Sequence, residues 1–318
     1  MASYINALLR PLRWLWYTLR ARGWVVPKLL PLFGVLALVM SLGGLPLAAM
    51  MRLLGLSLVC ALGFGAFGHL MNDLGDLEHD GRAGKTNRLA GLLPATRTSL
   101  VGASLLLVIL PWIWLPRNGL NLSLAAAELL LLPAYALPPL RLKRRTWIAP
   151  VADALYAYTL PVAIGLTTFG ASIPPAQVHA RLLAGAGLLL ALLTLAGLRG
   201  ILYHQVEDRK GDARSGLTTL ALHLGPRRTL ALSGWVLAPL EWLLALGLAL
   251  ALARWLPAAP WCWLGLALFV WISKGCFRTS QQLRRQLGWQ AFYSTNLLYE
   301  WLVPAWGVLA LAQHFQWS

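Results

Sequence analysis

Acidic residues are scarce in this chain, which has only 11 Asp and Glu against 27 Lys and Arg among its 318 residues. Charged residues make up 12% of the sequence, whereas a soluble domain carries about 25%. This shortage of charge, together with a mean hydropathy of +0.63, excludes a soluble globular protein. At ~20 residues for each membrane span, the length predicts an all-α integral membrane protein, a bundle of about nine transmembrane helices in a lipid bilayer.

Cysteine is also scarce, and the three thiols lie in or beside apolar segments without any CxxC pairing: Cys60, Cys262 and Cys276. The pattern indicates neither a disulfide framework nor a cysteine-ligated metal site. Histidines flank the acidic stretches described below, but no cysteine joins them and carboxylates outnumber them, which disfavours zinc. The net charge of +16 does not indicate a nucleic-acid partner, because the basic residues fall in short loops between apolar runs.

Nine apolar runs are the predicted transmembrane segments. They are Trp24–Leu42, Leu53–Met71, Ser99–Leu115, Leu120–Leu137, Ile148–Phe169, Leu182–Tyr203, Thr229–Leu252, Pro260–Ile272 and Phe292–Gln313. Residues 1–23 are predicted to be a cytoplasmic or interfacial N-terminal segment. Residues 24–318 are predicted to form a single transmembrane domain.

The loops between these runs differ in charge. If the N-terminus is cytoplasmic, 22 of the 27 basic residues fall on the cytoplasmic side. Because positive residues mark cytoplasmic loops, the sequence predicts a multi-pass protein of the inner or plasma membrane with its N-terminus in the cytoplasm. The ends of the second and sixth runs then share that side of the membrane.

Seven of the eleven acids lie in two stretches that follow those two runs, Asn72–Asp80 and Glu207–Asp212. On a helix, the spaced aspartates of each stretch share one face within roughly 60°: Asp73, Asp76 and Asp80 in the first stretch, Asp208 and Asp212 in the second. Carboxylates that close repel one another unless a cation lies between them, and hard oxygen ligands suit Mg²⁺. The simpler alternative is that the acids only solvate helix ends and pair with nearby arginines. Two spaced clusters that hold most of the acids favour the metal site.

A diphosphate held by Mg²⁺ also needs Lys or Arg donors for its remaining charge. The predicted diphosphate-binding residues lie in two basic loops on the same face of the membrane: Lys85, Arg88, Lys143 and Arg145. Asn72 and Gln205 add neutral oxygen ligands or amide donors. His204 is predicted to hydrogen-bond the substrate or a motif acid.

Arg199 and Asp153 lie inside apolar runs, where a charge is costly and is usually functional or paired. Arg199 either faces a cavity and contacts substrate or forms a structural ion pair, and the sequence leaves both roles open. Its candidate partners are Asp153, Glu128, Glu241 and Glu300.

The two acidic stretches resemble the paired aspartate motifs of the UbiA superfamily of membrane prenyltransferases. The matching residues are Asn72-Asp73-x-x-Asp76-x-x-x-Asp80, Asp208-x-x-x-Asp212 and the segment Gly216-Leu217-Thr218-Thr219-Leu220-Ala221 with Leu224-Gly225. The resemblance implies a helical bundle around a cavity open sideways to lipid, with Mg²⁺ and an isoprenyl diphosphate bound under a cytoplasmic cap. It also implies metal ligands at Asn72, Asp76, Asp208 and Asp212, supported by Asp73 and Asp80.

The sequence departs from that family pattern in two places. His204 stands where many members place an acid, and the basic segment after the first motif, Lys85-Thr86-Asn87-Arg88, lacks the familiar proline. Neither departure removes a core metal ligand, but both weaken assignment to the quinone, haem or chlorophyll branches.

These observations predict a Mg²⁺-dependent prenyltransferase, with Asp76 and Asp208 as its central catalytic acids. It would transfer an isoprenyl group from an isoprenyl diphosphate to a small aromatic or lipophilic acceptor in the membrane. One alternative is a terpene cyclase that acts on the diphosphate without an acceptor. Another is an ion transporter, although transport sites tend to lie at the bilayer midplane and both acidic stretches lie at its cytoplasmic rim.

Overall fold

The computed structural model describes residues 10–11, 13–21, 24–173, 180–214, 216–279 and 298–316, and these residues form helices and no strands. The helices are α1 Val25–Leu42, α2 Leu47–Ala83, α3 Pro94–Ile109, α4 Gly119–Ala136, α5 Ile148–Gly170, α6 Ala180–Arg214, α7 Leu220–Leu224, α8 Pro226–Leu252, α9 Ala259–Thr279 and α10 Val303–Gln316. The fold is therefore all-helical, as the composition predicts.

The predicted count of nine transmembrane helices is not confirmed. Six helices among the described residues are long and apolar enough to cross a membrane, namely α2, α3, α4, α5, α6 and α8. The apolar parts of α1 and α9, Lys28–Leu42 and Ala259–Trp271, are shorter. The ninth predicted run begins outside the described residues, and its described part contains α10.

Two helices are much longer than the apolar runs that predict them. Helix α2 has 37 residues and α6 has 35, which at 1.5 Å per residue gives roughly 50–55 Å against a hydrocarbon thickness of ~30 Å. Both helices continue past the ends of their apolar runs and carry an acidic stretch in their last turns. Helix α2 ends at Gly84, which adopts the left-handed conformation (φ 64°) that glycine tolerates at a helix end.

Three helical segments widen into π turns immediately before a proline. The turns span Leu155–Thr159, Leu232–Leu237 and Leu298–Leu302, and each is followed after one residue by Pro161, Pro239 or Pro304. Proline lacks an N–H and its ring crowds the carbonyl four residues earlier, so a local π turn relieves the conflict. The first of these turns lies in α5 and contains Tyr156, which reaches the candidate site described below.

Glycines let several helices approach closely. A Cβ added to Gly34 of α1 would lie 2.6 Å from Pro304 Cα of α10, and one added to Gly197 of α6 would lie 2.8 Å from Ala154 Cα of α5. On α2, Gly68 faces Leu132 of α4, and Gly75 lies against the backbone of Ala136. Because both contacts progress in the same chain direction, α2 and α4 run parallel here, and their ends meet at the first acidic stretch.

Candidate active site

The side chains of Asn72 and Asp76 converge on one cation. The Lys143 ammonium lies 3.0 Å from Asn72 Oδ1 and 2.7 Å from Asp76 Oδ1. Asn72 and Asp76 are one helical turn apart on α2, so their side chains point the same way. Lys143 lies in the loop that follows α4. Burial lowers the pKa of Lys143, and the neighbouring Asp76 carboxylate partly opposes that shift.

The loop after α4 is fastened to the first motif by a second basic residue. Arg141 Nη2 donates to the carbonyl oxygen of Gly75 at 2.8 Å and lies 3.5 Å from Asp76 Oδ1. Gly75 is required here, because a Cβ at that position would overlap the carbonyl oxygen of Ala136 at the end of α4. The motif therefore combines oxygen ligands with a glycine that admits the neighbouring backbone.

Asp73 and Asp80 are held by other partners. Asp73 is 3% exposed and its Oδ1 lies 2.9 Å from Arg20 Nη2. The Asn87 amide donates to the backbone oxygen of Asp73 at 2.8 Å and to Asp80 Oδ2 at 3.0 Å. These contacts fold the loop after α2 back onto the helix. They fit the supporting role that the family resemblance gives to Asp73 and Asp80.

The second motif lies at the same end of the bundle. Asp208 is exposed, whereas Asp212, one turn later on α6, is 8% exposed. Lys85 reaches this helix, because its Nζ lies 3.5 Å from the position that a Cβ on Gly211 would take.

Two reciprocal hydrogen bonds join the loops that carry the two halves of the site. Thr146 Oγ1 donates to the carbonyl oxygen of Thr218 at 2.9 Å, and Thr218 Oγ1 donates to the carbonyl oxygen of Arg144 at 3.0 Å. The first of these loops contains Lys143, and the second follows the motif on α6. The position of the basic loop over Asn72 and Asp76 is thus linked to the second motif.

A cavity of about 200 Å³ opens beside the first motif and extends into the bundle. Its lining on α2 runs from Asn72 back to Ser57, a length of roughly 22 Å along the helix. Most of the lining is apolar, and the polar members are Lys28, Ser57, His69, Asn72, Glu128, Tyr156, Thr168 and Tyr299. The shape suits a long apolar ligand with a polar group at the motif end.

The sequence profile of the UbiA prenyltransferase family matches residues 28–312. The chain belongs to the UbiA prenyltransferase family. It is a multi-pass membrane protein, and the family is one of prenyltransferases in general. No curated protein sequence matches it at a significant level.

Solved structures show the same fold at low sequence identity. A UbiA homologue from Archaeoglobus fulgidus bound to GPP and Mg²⁺ has a TM-score of 0.63 at 17% identity, over 94% of this chain and 99% of that one. The same homologue bound to DMAPP and Mg²⁺ gives 0.62 at 17% identity, over 94% and 99%. A structure that concerns the biosynthesis of digeranylgeranylglyceryl phosphate synthase in membranes gives 0.62 at 16% identity, over 95% and 99%.

The oxygen atoms of the site suit the Mg²⁺ that those neighbours contain. Asn72 and Asp76 already direct two oxygens at a single positive charge, the Lys143 ammonium. Among the described residues, no three His, Cys, Asp or Glu side chains are grouped closely enough to hold a metal by themselves. Mg²⁺ commonly takes one or two carboxylates and completes its coordination with substrate phosphates and water, so a sparse protein set fits this ion.

The structure also defines the surroundings of four other predicted substrate contacts. Arg88 donates to the Tyr17 carbonyl oxygen at 2.8 Å and stacks over the Tyr17 ring at 3.6 Å. Arg145 is exposed. The His204 side chain is 73% exposed and lies 3.8 Å from Glu207. Gln205 is buried, and its Oε1 accepts the backbone N–H groups of residues 220 and 221 at the start of α7.

Arg199 forms a structural ion pair, the second of the two roles left open by the sequence. Its Nε lies 2.6 Å from Glu241 Oε1, and both side chains are buried between α6 and α8. Glu241 was one of four candidate partners, and only the tertiary structure selects it.

Sequence reasoning missed several residues that build the site. It gave no specific role to Arg141, Asn87 or Gly75, and it counted Lys28 only as a topology signal although Lys28 lines the cavity. Gly75 lies within the first motif, and Asn87 lies in the segment that follows it. Their positions relative to the motif were the available sequence signal. No sequence signal distinguishes Lys28 from the other basic residues at helix ends.

Proposed function

We propose that this protein catalyses Mg²⁺-dependent transfer of an isoprenyl group from an isoprenyl diphosphate to a small lipophilic acceptor within the membrane. The observation that carries the proposal is the convergence of Asn72 and Asp76 on the Lys143 ammonium at the mouth of an apolar cavity. The hydrogen bonds of Thr218 with Thr146 and with Arg144 link the loop after the second motif to the loop that contains Lys143, which supports a shared site. The charged residues would bind the diphosphate headgroup, and the apolar cavity would bind the isoprenyl tail.

Asn72, Asp76, Asp208 and Asp212 would hold the metal. Bound Mg²⁺ supplies positive charge that stabilises a diphosphate leaving group. Asp73 and Asp80 would support these ligands through Arg20 and Asn87, which fix the end of α2 and its following loop. In this arrangement Asp76 and Asp208 are the acids on which the reaction depends most.

The basic side chains would hold the rest of the diphosphate charge. Lys143 and Arg141 already surround Asp76, and Lys85 lies beside the second motif. When a diphosphate binds, the N–H groups of these side chains donate to phosphate oxygens, either in place of the carboxylates or in addition to them. Such charge-assisted hydrogen bonds strengthen as charge develops on the leaving group.

The cavity would hold the isoprenyl chain away from water. Trp24, Tyr156 and Tyr299 contribute aromatic rings to its wall. Aromatic faces stabilise a nearby cation through their quadrupole, which suits the allylic cation that forms as the C–O bond breaks. The acceptor nucleophile then attacks that carbon, and exclusion of water prevents simple hydrolysis.

We also propose that the N-terminus and the active site face the cytoplasm, because the basic loops that surround the site are the positive loops of the topology pattern. The membrane would be the inner or plasma membrane of the cell.

The test is incubation of the purified protein with Mg²⁺, isoprenyl diphosphates of C10 to C20 and a panel of lipophilic acceptors, with products identified by mass spectrometry. Transfer predicts a prenylated acceptor and pyrophosphate, both dependent on Mg²⁺. An arm without acceptor separates the cyclase alternative, since cyclisation requires no second substrate. Release of no pyrophosphate from any donor would contradict the proposal.

A further inference from the structure

Glu128 is a buried acid in the middle of a membrane helix. It is the tenth of the 18 residues of α4, and its side chain is 2% exposed. Within the part of the chain that the structure describes, its Oε2 has no hydrogen-bond partner. An intramembrane acid is costly unless it is paired, and it is by default a sign of function.

Among the described residues, no ion pair is recorded that would give Glu128 a purely structural role. The intramembrane arginine pairs instead with Glu241 at 2.6 Å. Lys28, a second cation in the bundle, lies over the ring of Tyr158 at 3.0 Å. Neither of these described cations is recorded beside Glu128, so its buried carboxyl has hydrogen-bonding capacity that a polar group of a ligand can use.

The position of Glu128 in the cavity is defined by the parallel packing of α2 and α4. Ala136 lies against Gly75 in the first motif, and Leu132 lies against Gly68. Glu128 is two turns before Ala136 on the same face of α4, about 12 Å farther from the cytoplasmic end. Glu128, Leu132 and Gly68 all line the cavity. The carboxyl is therefore too deep to contact the diphosphate and lies beside the body of the ligand.

We infer that the inner cavity binds an oxygen-bearing group, a hydroxyl or carbonyl, on an otherwise apolar ligand, and that Glu128 is the residue that recognises it. A purely hydrocarbon ligand would leave the carboxyl unsatisfied, which is disfavoured. The oxygen lies about 12 Å from the diphosphate end of the site, two helical turns along α4. Calling this ligand a substrate rests on the proposed function, whereas its binding does not.

The oxygen has two chemical sources, an oxygenated isoprenyl donor or the lipophilic acceptor, and two sets of probes separate them. The first set pairs ω-hydroxygeranyl and ω-hydroxyfarnesyl diphosphate with their unsubstituted parents, with Mg²⁺ present. The second set pairs a long-chain alkylphenol with the alkylbenzene of equal chain length, with Mg²⁺ and inorganic diphosphate present. Calorimetric titration of the full-length protein in detergent gives the dissociation constant for each member of a pair.

In the native protein, we expect the oxygenated member of at least one pair to bind about tenfold more tightly than its parent. The advantage should persist in Glu128→Gln, whose amide both donates and accepts, and should disappear in Glu128→Leu. Leu132→Met is the matched control, since it lies one turn away in the same lining and should leave the ratio unchanged.

Equal affinities within every pair for the native protein would overturn the inference, as would an oxygen preference that is undiminished in Glu128→Leu. Thermal melting checks that Glu128→Leu is folded, and we expect a midpoint at or above that of the native protein because an unpartnered polar group is removed. If Glu128→Leu does not fold, the native comparison still decides, since it requires no variant. Turnover of the unsubstituted donors, measured separately, tests the proposed function alone.

Discussion

The four basic residues that were predicted to bind diphosphate have different surroundings in the structure. Lys143 contacts the Oδ1 atoms of Asn72 and Asp76, and Lys85 lies against the second motif. Arg88 instead binds Tyr17, and Arg145 is exposed. All four carry the positive charge that marks a cytoplasmic loop, so sequence alone predicted all four as diphosphate ligands.

Lys143→Met should weaken binding of the isoprenyl diphosphate. The substitution keeps most of the length of the side chain but removes its charge, and a charge-assisted hydrogen bond is worth about tenfold or more in affinity. We expect the donor Michaelis constant to rise accordingly and the acceptor constant to change little. Arg144→Met, at the exposed neighbouring position, is the control and should stay within about twofold. Similar increases in both variants would show that the loop acts only through its overall charge.

Lys85→Ala and Arg88→Ala should have different consequences, although both residues were predicted to bind diphosphate. Lys85 lies beside the second motif, so its loss should raise the donor Michaelis constant. Arg88 is engaged by the Tyr17 carbonyl and ring, so its loss should instead loosen residues 13–21, measured as faster limited proteolysis near the N-terminus. If Arg88→Ala raises the donor Michaelis constant as much as Lys85→Ala does, Arg88 exchanges Tyr17 for diphosphate on binding.

Asp76→Asn and Asp208→Asn should each abolish most turnover while the protein remains folded. Each change keeps the size of the side chain but removes one anionic ligand. The double variant should be far less than additively worse, because residues that act as one unit cannot be lost twice. Glu78→Gln is the control: Glu78 is exposed and points about 160° away from Asp76 on the same helix. Full activity of Asp208→Asn beside an inactive Asp76→Asn would remove the second motif from the site.

At the scale of elements, the two long helices position the chemistry. Their apolar runs predict where α2 and α6 cross the membrane, but both helices continue for three further turns to Ala83 and Arg214. The polar residues of the motifs are compatible with helix and lie where water is available, so nothing ends the helix at the membrane surface. The rigid extensions present the motif side chains at fixed angles to the loops above them.

Gly75→Ala should destabilise the contact between α2 and α4. The added Cβ would overlap the Ala136 carbonyl oxygen, and backbone cannot move aside as a side chain does. We expect a loss of about 1–3 kcal/mol in the free energy of unfolding, seen as a lower melting temperature. We also expect weaker binding of the isoprenyl diphosphate, because Arg141 binds the Gly75 carbonyl.

Gly81→Ala is the matched control for this change. Gly81 lies in the same helix with no atom within 4 Å of its would-be Cβ, and alanine favours helix by up to about 1 kcal/mol relative to glycine. The melting temperature of Gly81→Ala should therefore stay equal or rise. A Gly75→Ala protein as stable as Gly81→Ala would show that the close approach is not needed.

At the scale of the whole molecule, the charge distribution predicts the orientation of the bundle in the membrane. The predicted inside loops hold 22 of the 27 basic residues, and four basic residues of these segments lie against the two motifs, namely Arg20, Lys85, Arg141 and Lys143. In the proposed orientation, an active site at this face would receive a diphosphate headgroup from the cytoplasm and an apolar chain from the bilayer.

Reporter fusions test this orientation. A reporter fused after Arg214 should be cytoplasmic, and one fused after Ser318 should be external, as nine spans and a cytoplasmic N-terminus require. Activity of alkaline phosphatase and of green fluorescent protein at each site gives the side directly. Both fusions on one side would contradict nine spans, whereas an external Arg214 fusion would contradict the cytoplasmic active site.

The sequence by itself determined the membrane class, the helical fold, the family and the two acidic motifs. These properties depend on composition, on runs of consecutive apolar residues and on spacings within one helix, all of which are local along the chain. The number of membrane spans was not settled in this way, because the apolar parts of α1 and α9 are shorter than the length that identifies a span.

Only the tertiary structure decided which side chains meet. It placed Lys143, which is 67 residues from Asp76 in the chain, against the first motif. It also paired Arg199 with Glu241 and positioned Glu128 in the wall of the cavity. The physical reason is that an ion pair or a cavity contact depends on how helices pack against one another. Several acids were equally suitable partners for Arg199 by charge, and the glycine contacts that set the helix positions are not visible in charge or hydropathy.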